Sequence, residues 1–88
     1  MTEEELHYRI KKMIIETLHI QDVTAEEICN DEMIFESEQL NLDSLDGLEL
    51  VMGIQKEFSV TINDQNHAHT ILQTVNSIAE FIKSQQEI

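Results

Sequence analysis

The segment Asn41-Leu42-Asp43-Ser44-Leu45-Asp46 sets a hydroxyl between two carboxylates, at the head of a run of helix formers that reaches Phe58. Asp43 is a good N-cap, so Ser44 falls just inside the first turn, where backbone N–H groups have no intrahelical partner. A phosphate suits that position, because the free N–H groups and the helix dipole both favour negative charge. Asp43 and Asp46 would repel a phosphodiester on Ser44, which argues for a divalent cation while it is attached. The competing reading is an ordinary first-turn serine, the more common use of this residue type at a helix start.

Other candidate chemistry is thinner. Aligning Gly47 with the glycine of a calcium loop puts Leu42 at the first ligand position and Gly53 where a bidentate glutamate belongs, so that site fails. His67 and His69 with Asp64 form one short polar cluster that lacks a convincing third and fourth ligand, and the histidines read as solvated turn residues; no metal is expected. Cys29 is the only cysteine, which excludes an internal disulfide, fits a reducing compartment and reads as a small buried apolar group. No nucleophile, base and orienting group can be assembled, and an enzyme is not expected.

Ser44 must be positioned by helices. Thr2 and Glu5 have capping-box spacing, and Leu6, Ile10, Met13, Ile14 and Leu18 recur at three- and four-residue intervals, predicting a helix over 3–18. Arg9, Lys11 and Lys12 lie on its solvated face. A loop over 19–42 follows, with a second capping-box spacing at Thr24 and Glu27 that predicts one turn ending near Asn30. Val23, Ile28, Met33, Ile34, Phe35 and Leu40 read as apolar plugs pinning this loop across a bundle.

The helix from Ser44 to Phe58 carries two apolar stripes. Leu50, Val51, Ile54 and Phe58 make one, Leu45, Leu48 and Met52 the other, and a small bundle buries only one of them fully. The second is a candidate binding face unless the helix lies centrally. Val60 and Ile62 predict a short extended connection, 63–66 a turn, and 67–72 a short helical piece. Thr74 caps a last helix with Val75, Ile78, Ala79 and Ile82 inward, Phe81 at the edge, and fraying from Gln85 onward. The expected fold is therefore all-α: a small four-helix bundle, three longer helices and one short, with a long first loop.

Length and charge bound the function. Eighty-eight residues without repeats build a single domain, 1–88, with a modest core and little room for a substrate pocket. A net charge of −13, from 18 acidic and 5 basic residues, repels phosphate backbones and anionic lipid alike. Neither nucleic acid nor membrane is an expected partner. No apolar run approaches the roughly 20 residues that span a bilayer, the first residues are acidic, and the expected location is the cytoplasm.

Asp43-Ser44-Leu45-Asp46, Leu48-Glu49-Leu50-Val51-Met52 and Glu57-Phe58 together resemble the carrier helix of acyl carrier proteins, and the resemblance extends over nearly the whole chain. It implies a stand-alone, monomeric carrier. On that resemblance Ser44 receives a covalent phosphopantetheine arm from coenzyme A through a separate transferase. The arm's thiol then presents acyl intermediates, as thioesters, to fatty acid, polyketide or related biosynthetic enzymes with basic docking patches. Asp43, Leu45, Asp46, Leu48, Glu49 and Met52 fall on the partner-binding face, and Leu50, Ile54 and Phe58 on core positions.

Asn41 and Leu42 stand where the family commonly has a glycine and a small residue, and Gln55 and Lys56 occupy a usually acidic region. These departures point to a specialised carrier from a dedicated gene set. Gly47, three residues after Ser44 on the same face, reads as clearing space for the arm or for a docking enzyme. Two alternatives stay open: an aminoacyl or peptidyl carrier, and an unmodified acidic helical adaptor binding partners through Leu45, Leu48 and Met52.

Overall fold

The computed structural model describes residues 2–36, 42–62 and 65–86, and all of their side chains except those at 44, 65–67 and 86. Four helices, α1 (Glu3–Thr17), α2 (Ser44–Phe58), α3 (Gln65–Ile71) and α4 (Val75–Gln86), make an all-helical bundle. Two single 3-10 turns, Ala25–Glu27 and Ile34–Glu36, punctuate the long first loop. None of the described helices is long and apolar enough to cross a membrane.

Each longer helix is started by its own side chains. The Thr2 hydroxyl accepts from the Glu5 N–H, 3.1 Å away, and Glu3, Glu4 and Glu5 lie at the positive end of the α1 dipole. Thr74 and Ser77 cap α4 reciprocally: the Ser77 N–H donates to Thr74 Oγ1 at 3.0 Å, and the Thr74 N–H to Ser77 Oγ at 2.9 Å. At the other end of α1 the Ile20 N–H reaches back to the Ile15 carbonyl at 3.0 Å, with His19 left-handed at φ 54° between them. That is a Schellman closure with histidine where glycine is usual, at a cost of about 1–2 kcal/mol in backbone strain.

α1 packs on both α2 and α4. The centre is aliphatic: Ile10, Ile14, Ile28, Ile34, Leu50, Ile54, Val75, Ile78 and Ile82 are fully buried, each adding about 1.5–3 kcal/mol of apolar burial. Polar ties at the edges set the relative placement of the helices. Lys83 of α4 pairs with Glu3 of α1, and His7 Nε2 lies 3.0 Å from Asn76 Oδ1. Arg9 is exposed, as expected of its face, yet it reaches Glu57 at 3.0 Å and lies over the Phe58 ring, joining α1 to the end of α2.

The first loop is pinned as its apolar residues predict, by Val23, Ile28 and Ile34. Two backbone bonds also stitch it to the α3–α4 junction, Ile34 N–H to the Gln73 carbonyl and Asn76 N–H to the Asn30 carbonyl, both 2.9 Å. Met33 is exposed and is not a plug; Leu40 lies outside the described residues. Cys29 is exposed too, contrary to expectation. Its neighbour Ile28 takes the inward position with extended backbone (φ −90°, ψ 122°), and successive side chains of extended backbone point opposite ways.

Two boundaries and one burial differ from expectation. The third helix begins at Gln65, inside the predicted turn, α4 continues through Gln86, and Phe81 is buried with the core instead of marking its edge.

Candidate functional site

The site is built on the first two turns of α2. Asp43 caps the helix as expected, and the cap is reciprocal: the Asp46 N–H donates to Asp43 Oδ1 at 3.1 Å, and the Asp43 N–H donates to Asp46 Oδ2 at 3.0 Å. The Gly47 N–H then bonds the Asp43 carbonyl at 3.2 Å. Of the first four N–H groups of α2, only those of Ser44 and Leu45 bond no group among the described residues. Ser44 is the first helical residue, and its side chain lies outside the described residues.

This arrangement fits a phosphodiester at position 44. Those two N–H donors stand at the positive end of a 15-residue helix. Asp43 and Asp46, the two carboxylates flanking Ser44, each have one oxygen drawn to the backbone by the cap. Each keeps a second oxygen for a cation or for a partner's basic group.

The two stripes of α2 separate as their spacing allows. Leu50 and Ile54 have no exposed surface and Phe58 is 3% exposed, whereas Leu45, Leu48 and Met52 are 70%, 55% and 68% exposed. Helix α2 is therefore not buried on both sides. Asp43 and Glu49 are also exposed, and Asp46 is half-buried by its part in the cap. Position 44 and the side chains of Asp43, Leu45, Asp46, Leu48, Glu49 and Met52 thus sit on one helix, with three large apolar groups set among three carboxylates.

Gly47 has a different part from the one its spacing suggests. A Cβ there would lie 3.3 Å from Phe35 Cζ, so the space is filled by the ring of a loop residue. Phe35 adjoins Ile34, whose N–H is tied to Gln73, so Gly47 lets the stitched first loop close against the start of α2. Gly53 does the same against α1, where a Cβ would meet Thr17 Oγ1 at 3.0 Å and Met13 Sδ at 3.1 Å.

Sequence reasoning missed the Phe35 contact and a shallow cleft at the far end of the same face. Glu49, Met52, Gly53 and Lys56 of α2 line that cleft together with Thr17 and His19 from the end of α1. The one sequence signal for it was Lys56, a cation on an acidic helix. Among the described residues no group of three or more His, Cys, Asp or Glu could hold a metal ion; Asp64 and the His67 side chain lie outside them.

Comparison with known proteins gives a consistent picture. The family described as "Phosphopantetheine attachment site" matches residues 9–82. The chain is similar to an acyl carrier protein of Buchnera aphidicola subsp. Acyrthosiphon pisum (strain 5A), 35% identical over 81 residues, with 92% of each chain covered. It is also similar to the acyl carrier protein of Petrotoga mobilis, 30% identical over 89 residues, with 99% of each covered.

Proposed function

We propose a specific function for this chain, which belongs to the acyl carrier family of phosphopantetheine-binding proteins and carries that group covalently. The proposal is that Ser44 is the attachment residue, and that the chain delivers acyl intermediates to fatty acid, polyketide or related specialised biosynthetic enzymes. When bound, the arm supplies a terminal thiol on which an acyl group is held as a thioester. The residues of this chain anchor and present it. The first-turn N–H groups of Ser44 and Leu45 are placed to hold the phosphodiester, and the Asp43–Asp46 cap keeps that turn formed.

The observation that carries this reading is the exposed apolar stripe of Leu45, Leu48 and Met52 on the helix that begins at Ser44. Left in water it costs apolar burial, and beside Asp43, Asp46 and Glu49 it suits a small docking face for enzymes with basic patches. Long-range attraction from a −13 protein favours fast, weak visits over a large buried interface. The cytoplasm is the compartment this reading assigns, in keeping with the lone, exposed thiol of Cys29.

Intact-mass measurement after incubation with coenzyme A and a phosphopantetheinyl transferase tests it. The wild-type chain is expected to gain one phosphopantetheine and Ser44→Ala none. A gain that survives Ser44→Ala would move the attachment point. A wild-type chain left bare by every compatible transferase would leave an acidic helical adaptor as the surviving reading.

A further inference from the structure

We propose that the stripe Glu49, Met52 and Lys56 of α2, with His19 across the cleft, is a mixed-charge docking subsite. It selects partner enzymes that present a cation and a carboxylate two helical turns apart, around an apolar side chain. The inference rests on the carrier reading above, in which visiting enzymes dock on α2.

Positions 49, 52 and 56 are spaced i, i+3 and i+7, so they share one helix face. All three side chains are exposed. At about 1.5 Å per residue, the carboxylate and the ammonium stand about 10 Å apart along the axis, with Met52 between them. A face that begins on Asp43 and Leu45 thus ends on a positive charge.

The whereabouts of that charge is informative because the chain has only 5 Lys and Arg against 18 Asp and Glu. Arg9 is committed to Glu57 and Lys83 to Glu3, each pair joining two helices. Lys11, Lys12 and Lys56 form no ion pair among the described residues, and of these three only Lys56 stands in the wall of a concavity, shared with Glu49 and Met52. A second feature converges on the same concavity. His19 lines it from the end of α1 and holds a left-handed backbone (φ 54°) that glycine would adopt without strain. An imidazole is kept where a hydrogen atom would fold more easily, and functional surfaces are where such strain collects.

Charge complementarity identifies the partner's chemistry. A uniformly basic patch laid along α2 is attracted at Glu49 and repelled at Lys56. A patch that turns from cation to carboxylate along the same line is matched at both ends. Such an arrangement rejects enzymes built for a wholly acidic face, and specificity of this kind comes as much from the repulsive contact as from the attractive one.

The test uses the holo protein, each variant first checked by intact mass, so that a failure of the attachment reading shows as an absent mass gain before docking is measured. The probes are two helical peptides of equal length centred on one leucine. One carries a lysine and a glutamate seven residues apart, and the other carries lysines at both positions. Affinities are read by NMR titration of labelled wild-type, Lys56→Glu and Lys12→Glu proteins. The last makes the same change in net charge on an exposed lysine of α1. Lys56→Glu is expected to weaken the mixed-charge peptide about threefold or more, the range of one exposed ion pair turned to repulsion, while Lys12→Glu leaves it unchanged. Resonances of residues 49–56 and of His19 are expected to move. Equal effects of the two substitutions, or a titration that leaves those resonances still, overturns the proposal.

Discussion

Placing alanine at each glycine of α2 separates two close approaches that look alike in sequence. Both substitutions gain about 1 kcal/mol in helix propensity, so any difference between them reports what the new methyl meets. At Gly47 it meets one ring edge, Phe35 Cζ at 3.3 Å and Cε1 at 3.6 Å. That ring is only partly buried and sits on the loop, where a shift of a few tenths of an ångström relieves the contact. At Gly53 the methyl meets Thr17 Oγ1 at 3.0 Å, Met13 Sδ at 3.1 Å and Thr17 Cγ2 at 3.5 Å. Met13 is 5% exposed, on a helix held by the buried Leu6, Ile10 and Ile14, so relief there means moving core side chains or parting α1 from α2. Overpacking of that kind costs about 1–3 kcal/mol, against the propensity gain of about 1. Gly47→Ala is therefore expected to be stabilising or neutral, and Gly53→Ala neutral to destabilising by up to about 2 kcal/mol. The gap between them corresponds to roughly 4–8 °C in Tm per kcal/mol for a chain of this size. Thermal unfolding followed by far-ultraviolet circular dichroism measures it. A Gly53→Ala protein that melts above Gly47→Ala would refute the packing argument.

Other perturbations have equally definite outcomes. Ile54→Ala, at a site with no exposed surface, is expected to cost about 2–5 kcal/mol in chemical denaturation, whereas Leu48→Ala on the exposed stripe is expected to leave the midpoint nearly unchanged and slow turnover by partner enzymes. Asp43→Ala removes the side-chain half of the α2 cap and is expected to lower stability by about 1 kcal/mol and to slow loading at Ser44 in the mass assay. Glu3 is held below the usual carboxylate range, first by its hydrogen bond from Lys83 and then by that ammonium's charge. A depressed folded value means that the pairing stabilises at neutral pH and is lost as pH falls through the Glu3 titration, so Lys83→Gln should move that titration upward in a carboxylate-resolved NMR experiment. Magnesium or added salt is expected to raise Tm by screening a net charge of −13, and a Tm indifferent to both would remove self-repulsion as a destabilising influence.

How well each feature could be read from the chain follows from how local its cause is. Caps were legible because the Thr2 and Asp43 side chains accept from backbone N–H groups three residues on, and the Glu27 carboxylate accepts from the Thr24 N–H three residues back. The inward and outward stripes of α2 were legible because a helix fixes which residues share a face. Helix α3 was read as starting two residues late and ending one late, and the side-chain geometry at Ser44 lies outside the described residues.

The sequence alone determined that Ser44 opens a capped helix, that Leu45, Leu48 and Met52 lie together on it, and that the surface is strongly acidic. Those properties depend on helical periodicity and on counting charges. Tertiary structure decided what faces the helix from elsewhere: Phe35 against Gly47, Met13 and Thr17 against Gly53, and His19 across from Lys56. Cys29 turned outward for the same reason, because Ile28 rather than its neighbour found the core. Contacts between residues far apart in the chain depend on how whole elements pack, and no local spacing encodes which side chain arrives from the other element.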